Sequence, residues 1–347
     1  MSKKTRKIFF NAAFLIALIT LTIWAIFKDQ DLGVIIHSLS KIPPGYLLAG
    51  FGLVLLFLFC EAVIIKYLFH TVKIHSSLWD TFCYACTDFF YSCITPSASG
   101  GQPMEAFYMK KKGIHIPAAT IVLMVVTIEY KFVLVLIGLA LAIFDHPLIH
   151  SLPGQAQFFL YLGIGLNTVF VGLMAFLVFI PDTASYLITK LYHFLKRIHL
   201  LKEKNNREER LQQSMERYKT MSVHLKNNKL AIFNTTLITI IQRLVLFALT
   251  YVAYRGLGLH GESFVRMLIL QAVISISVDM LPFPGGLGIS EHLYLLIFKP
   301  IFGSAMLTTT SLLVSRGFSY YVLVIVSGIF SLILHLTTLD KSKGRLS

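Results

Sequence analysis

Apolar residues in this chain fall into blocks too long for a soluble core. Six uninterrupted runs are legible: Ile8–Phe27, Gly45–Leu68, Pro117–Phe144, Gln157–Ile180, Leu230–Tyr254 and Ala305–Leu336. A helix needs about 20 apolar residues to cross ~30 Å of hydrocarbon, and each run meets that length. Two further apolar runs, Trp79–Lys112 and Phe264–Lys299, are broken at TPSASGGQP and LPFPGGLG. A break inside a bilayer frees backbone groups that only protein or water can satisfy, so these runs are predicted to be re-entrant helical hairpins. Ile8–Phe27 follows four basic residues, as a secretory signal would. Its apolar stretch is longer than a signal's and no small-x-small site follows, which predicts a retained first span. The one long polar stretch is 181–229. There Leu187, Leu191, Phe194 and Ile198, and then Leu211, Met215, Tyr218 and Leu225, recur at helical spacing. That pattern predicts basic amphipathic helices on the membrane surface, suited to anionic lipid.

Composition agrees. Of the 347 residues, 56 % are hydrophobic and only 14 % charged, against about a quarter charged in a soluble domain. Disordered, disulfide-scaffold and soluble-enzyme classes are excluded. The expected fold is all-α and polytopic: six transmembrane helices plus two re-entrant hairpins. The net charge of +14 does not indicate nucleic acid, because the basic residues cluster in loops between apolar runs. With the N-terminus inside and both broken runs returning to their side of entry, 23 of the 31 Lys and Arg lie inside and 5 outside. Lys131, Arg243 and Arg316 fall within spans. A full crossing by the first broken run would put Lys110, Lys111 and Lys112 outside, against the positive-inside rule. Both termini are therefore expected in the cytoplasm, with the chain in the plasma membrane.

The two breaks share a pattern. Pro96, Gly100 and Glu105 recur as Pro282, Gly286 and Glu291, each 186 residues on. Each break follows an apolar segment containing an acid, Asp88 or Asp279. Each precedes a long span with a mid-span base, Lys131 or Arg316. The expected topology runs the two units, about 45–145 and 230–336, in opposite directions, which is the signature of an inverted repeat around a midplane transport site. Glycine and Pro103 suit the first turn of a new helix after each break. Two half-helix N-termini facing one another would favour a phosphate or another anion. Glu105 and Glu291 carry two readings at this stage. One is capping of the half-helix start; the other is contact with a cationic headgroup or a coupling proton. Glu61, Glu129, Lys131, Arg243, Asp279 and Arg316 are intramembrane charges that should face a polar interior. Glu129 and Lys131 are placed to neutralise each other or the other repeat. Arg243 is open to an ion pair with Glu61, Asp88 or Asp279, or to bidentate contact with a lipid phosphate.

The cysteines, Cys60, Cys83, Cys86 and Cys93, offer half a zinc motif without a second pair, so they read as small hydrophobes. No metal or cofactor is expected. No nucleotide-binding loop is present, so any transport is facilitated or ion-coupled.

TPSASGGQPMEAFYMKKKGI followed by a span, and LPFPGGLGISEHLYLLIF followed by LLVSRGFSYYVLVIVSG, resemble the paired signatures of the lysylphosphatidylglycerol synthase transmembrane, or flippase-like, family. The resemblance covers nearly the whole chain. In the bacterial multiple peptide resistance factor such a membrane region precedes a cytosolic aminoacyltransferase domain. Here the chain ends at Ser347, which leads us to expect the flippase part without the synthase. The resemblance implies roles for Pro96, Gly100, Gly101, Glu105, Pro282, Gly285, Gly286, Gly288, Glu291 and Arg316. To these the intramembrane charges add Lys131, Arg243 and Asp279. The expected function is a lipid flippase for a phosphate-containing or aminoacylated lipid, with membrane lipids as partners. A homo-oligomer and a separate lipid-synthesis enzyme are further candidate partners. The rivals are lysyltransferase activity carried by name or by a partner chain, a small-solute transporter, and a scaffold acting through the basic loop.

Overall fold

A computed structural model describes Ser40 and residues 42–95, 99–197, 207–281 and 288–344. The first apolar run, Ile198, and the break residues Pro96, Pro282, Gly285 and Gly286 lie outside the described residues. Every regular element among the described residues is helical. Five are long and apolar enough to cross a membrane: Pro44–Thr71, Ile116–Phe144, Gly154–Phe179, Lys229–Gly256 and Ala305–Thr338. They coincide with the five expected spans that fall within the described residues.

The first half contains α1 (Pro44–Thr71), α2 (Leu78–Ile94), α3 (Gly101–Lys111) and α4 (Ile116–Phe144). After the short α5 (His146–Ser151) come α6 (Gly154–Phe179), α7 (Pro181–Arg197) and α8 (Arg207–Asn227). The second half contains α9 (Lys229–Gly256), α10 (Phe264–Val278), α11 (Ile289–Phe302), α12 (Ala305–Arg316), a π-helical segment (Gly317–Val322) and α13 (Leu323–Gly344). Each half thus gives a long helix, two short ones around a break, and a long one. At 1.5 Å per residue the short helices reach only ~17–26 Å, less than a bilayer's hydrocarbon. They turn back: Lys112, just after α3, meets Asp80, in the first turn of α2, at 2.8 Å. In the second half the start of α10 and the end of α11 both pack at the end of α9, through Phe264 on Tyr251 and Phe302 on Tyr254.

The halves interlock. α2 packs along α13, while α10 packs along α6 and α4, and α1 lies against α9. One buried cluster surrounds the first hairpin at the end carrying Val72, Ile114 and Leu225. Another surrounds the second hairpin at the opposite end, with Leu141, Ile149 and Tyr254. A third, including Val54, Phe57, Leu249 and Phe318, seals the α1–α9 seam.

The polar stretch forms α7 and α8, as its periodicity predicts. Leu187, Leu191 and Phe194 of α7 are exposed, whereas Tyr218 and Leu225 of α8 are buried. The last carbonyls of a helix lack intrahelical donors. At the end of α6, α8 supplies them: Tyr218 Oη donates to the Leu177 carbonyl at 2.7 Å, Ser222 Oγ to Val178, and Lys226 Nζ to Phe179 at 3.2 Å. Burial pushes the Tyr218 phenol up from its ordinary value. A raised phenol stabilises docking fully below the unfolded value near 10 and loses that stabilisation as pH climbs through the folded value. Hydrogen exchange in α8 should therefore accelerate above pH ~10. Tyr218→Phe should remove that alkaline step at a cost of about 1 kcal/mol at neutral pH. An unchanged alkaline step in the variant would assign the transition to another group.

Candidate functional site

The three mid-span bases sit deep in their helices. Counting from each helix start, Lys131 lies roughly 22 Å along α4, Arg243 roughly 21 Å along α9 and Arg316 roughly 17 Å along α12. All three therefore lie near the middle of a ~30 Å hydrocarbon layer and need partners.

Lys131 finds its partner in the other half. Its Nζ donates to Asp279 Oδ2 at 2.5 Å, with the two side chains 10 % and 7 % exposed. The Tyr130 hydroxyl donates to the other Asp279 oxygen. Lys131 also lies over the rings of Tyr130 and Phe170, 5.3 and 5.1 Å from their centroids. Glu129 does not neutralise Lys131, because residues two apart on a helix do not face one another. It accepts instead from Thr235 Oγ1 at 2.5 Å.

Arg243 makes none of its three expected ion pairs. Its guanidinium stacks 4.0 Å from the Tyr130 centroid and 5.1 Å from that of Phe57. It donates to Gln242 Oε1 at 3.2 Å. Gln242 Nε2 in turn donates to Glu61 Oε2 at 2.6 Å. An amide thus relays between the two charges where the sequence reading allowed direct contact. Asp279, Tyr130, Arg243, Gln242 and Glu61 form one buried polar chain across the seam.

At the first break, the Gly100 N–H donates to Thr95 Oγ1 at 2.8 Å. Gly101 opens α3 with no room for a side chain: a Cβ there would stand 2.2 Å from Asp88 Oδ1 and 2.1 Å from Ser92 Oγ. Asp88 therefore lies against the half-helix start. Glu105 is the fifth residue of α3, two residues beyond the capping position at Pro103, and is 2 % exposed. Its Oε1 has no hydrogen-bond partner among the described residues. Capping does not account for Glu105.

At the second break, Gly288 holds a positive φ of 87° that a side chain would strain, and forms the N-cap of α11. Glu291 accepts from the Gly288 N–H, so this glutamate does cap. Its other oxygen meets Arg316 at 2.9 Å, and Arg316 also donates to Ser290 Oγ. At the second break the half-helix start is thus met by the Glu291 carboxylate, and at the first the Asp88 carboxyl lies beside it.

Arg316 lines a cavity of about 300 Å³ between α2, α9, α10, α11, α12 and the π segment. Ser92, Gln271, Ser275, Ser290, Ser315 and Ser319 give it polar walls, and Phe247 and Leu312 apolar ones. Gln271 and Ser315 are joined through Thr250, at 2.9 and 3.1 Å. The π-helical turn begins directly after Arg316, a distortion frequent at functional sites. Arg316 lines the cavity, and its pair with Glu291, which accepts from the Gly288 N–H, sets those two residues beside it. Lys131, Asp279 and Arg243 form the neighbouring polar chain, and Gly100, Gly101 and Glu105 belong to the first hairpin. The sequence reading missed Tyr130, Gln242, Gln271 and the cavity serines. Tyr130 and Gln242 each directly precede a buried base, which was the available signal; serines in spans carry none.

Removing one partner of a buried pair costs about 3–5 kcal/mol. Lys131→Met alone should lower the unfolding temperature strongly. Adding Asp279→Asn, which still accepts from Tyr130, should restore most of the loss. Additive losses in the double variant would show that the pair does not tie the halves.

The transmembrane-region model of the lysylphosphatidylglycerol synthase family matches residues 12–327. No curated protein matches the chain. The match spans both hairpins, four of the five described long spans, most of the fifth and the polar chain between the halves, so the chain belongs to the lysylphosphatidylglycerol synthase TM region family.

Proposed function

We propose that the chain moves a phosphate-bearing lipid between the two leaflets, with the headgroup passing through the Arg316 cavity and the acyl chains staying in hydrocarbon. Family membership supports a role in handling lysylphosphatidylglycerol. That lipid carries a phosphate and ammonium groups, so its carrier needs both signs of charge at one place. The observation that carries the reading is the Arg316–Glu291 pair. It is made at 2.9 Å, with side chains 17 % and 29 % exposed, and its Arg316 lines a cavity with serine hydroxyls on its walls, beside a helix break. A pair so placed is only partly dehydrated and can be exchanged for ligand charges at modest cost. Arg316 would take the phosphate through its planar donors and Glu291 the amine. The Lys131–Asp279 pair, at 10 % and 7 % exposed, is more enclosed and serves as the fixed frame. The two halves, in this reading, are inverted repeats that rock about that frame.

The scaffold reading would be tested by deleting Lys202–Lys219, but α8 docks on the end of α6, so that deletion also strips a helix end. Transport is the cleaner test. The purified chain in liposomes should move labelled lysylphosphatidylglycerol selectively from a panel of lipids. Arg316→Ala and Glu291→Ala should each slow it roughly tenfold or more, the scale of a lost charge-assisted hydrogen bond. Arg316→Lys should keep part of the rate. Folded wild-type protein that moves no lipid would sink the proposal, and uptake of a water-soluble amine or anion would replace it with a solute carrier.

A further inference from the structure

A second polar site lies away from the cavity, where α1 ends and α2 begins. Two contiguous depressions of about 690 and 300 Å³ are lined there by Lys66, His70, Lys73 and His75, with Tyr67 and Asn228. All four basic side chains are exposed. None makes a hydrogen bond or ion pair through its side chain to the described residues. The one acid on the wall, Asp80, is already bound to Lys112 at 2.8 Å. The site therefore presents uncompensated positive charge.

Farther along α1 and α2 lies an apolar groove of about 590 Å³, walled by Leu55, Leu56 and Phe59 of α1, Trp79 and Phe82 of α2, and Phe330 of α13. On α1 the positions facing this lane are 56, 59, 63, 66 and 70, spaced by three and four. The same helix face thus changes from apolar to basic over about two turns, ~10 Å. A phospholipid has the same polarity profile, with phosphate at the interface and acyl chains below.

The backbone supports the basic end. Lys73 has a φ of 60°, the only positive value for a non-glycine residue among those described. It ends α1 with the Ile74 N–H bonded to the Phe69 carbonyl at 2.8 Å, a turn that normally uses glycine. A lysine tolerated in that conformation keeps its charge over the depression at a backbone cost glycine would not bear.

We infer that the α1–α2 lane is a docking site for an anionic glycerophospholipid, its phosphate held by Lys66, His70, Lys73 and His75 and one acyl chain laid against Phe59 and Trp79. The inference rests on the lipid-handling reading and adds a site to it. The lane lies at the end of the bundle where Lys110–Lys112, α7 and α8 also gather, so the leaflet is the one the charge distribution assigns to the cytoplasm.

Trp79 is 55 % exposed in the groove and is one of two tryptophans, so the site carries its own reporter. The full chain, with Trp24→Phe, is placed in phosphatidylcholine nanodiscs, and chain-brominated phosphatidylglycerol or brominated phosphatidylcholine is titrated in. Brominated phosphatidylglycerol should quench Trp79 at a several-fold lower mole fraction. Lys66→Ala and Lys73→Gly should each cut that preference roughly fivefold, the usual worth of one basic residue near a membrane surface. Because glycine suits the Lys73 conformation, Lys73→Gly should leave the unfolding temperature unchanged or raised, separating lost binding from lost fold. Equal quenching by both lipids in the unsubstituted lane, or an undiminished preference in the double variant, overturns the proposal. Relief of quenching by millimolar glycerol 3-phosphate as effective as that by unbrominated phosphatidylglycerol would also overturn it, in favour of a free-anion site. Lost lipid preference with intact transport would condemn this site alone; lost transport in Arg316→Ala with intact preference would concern the cavity alone.

Discussion

Charge buried in hydrocarbon must be answered by protein, and in this fold the answer comes from the other half of the chain. Lys131 belongs to the long helix after the first hairpin, and Asp279 to the end of the helix before the second break. Neither Lys131 nor Asp279 finds its ion-pair partner within its own half. The same exchange governs apolar packing: α13 covers the first hairpin, and α4 and α6 cover the second. Short, broken helices are tolerable only because the opposite half supplies the walls around them. The native contacts are correspondingly long-range, so folding must bring distant segments together before either hairpin is enclosed.

The two ion pairs near the midplane differ in their surroundings, and that difference divides their work. Lys131–Asp279 is enclosed, reinforced by the Tyr130 hydroxyl and two aromatic faces, and sits between the halves. Arg316–Glu291 lies within one half, with Arg316 on a cavity wall directly before a π-helical turn. Had the pairing been symmetric, Arg316 would answer Asp88 as Lys131 answers Asp279. Asp88 instead lies against the start of α3 with Oδ1 unbonded among the described residues. The asymmetry leaves one half tied across the seam and the other holding a pair that can open.

Spans, hairpins and the surface helices were legible because a 20-residue apolar run and a Gly/Pro break are strong, local signals. Family membership was legible for a related reason: the paired break motifs are specific. Partner choice was not. Arg243 offered three acids in sequence, yet its neighbour Gln242 intervenes, and nothing in residue type distinguishes a relay from a salt bridge. Glu105 and Glu291 read alike, five residues after matching glycines, but α3 starts two residues before the position that corresponds to the start of α11. A shift of two positions moves a carboxylate from cap to core, and residue type alone does not reveal it.

α2 connects the two candidate lipid sites. Its first turns, at Trp79 and Phe82, wall the basic-headed lane, and its last turn, at Ser92 and Cys93, walls the Arg316 cavity. Its 17 residues span roughly 26 Å, more than the ~15 Å from interface to midplane but less than the ~30 Å of a full crossing. A helix long enough to cross fully would separate the two sites by a continuous apolar barrier. Ending α2 inside the bilayer places a polar wall where that barrier would be thickest. The break is therefore what lets one helix serve a headgroup at both depths, and the cost of the broken backbone is met by Thr95 and by the opposing half.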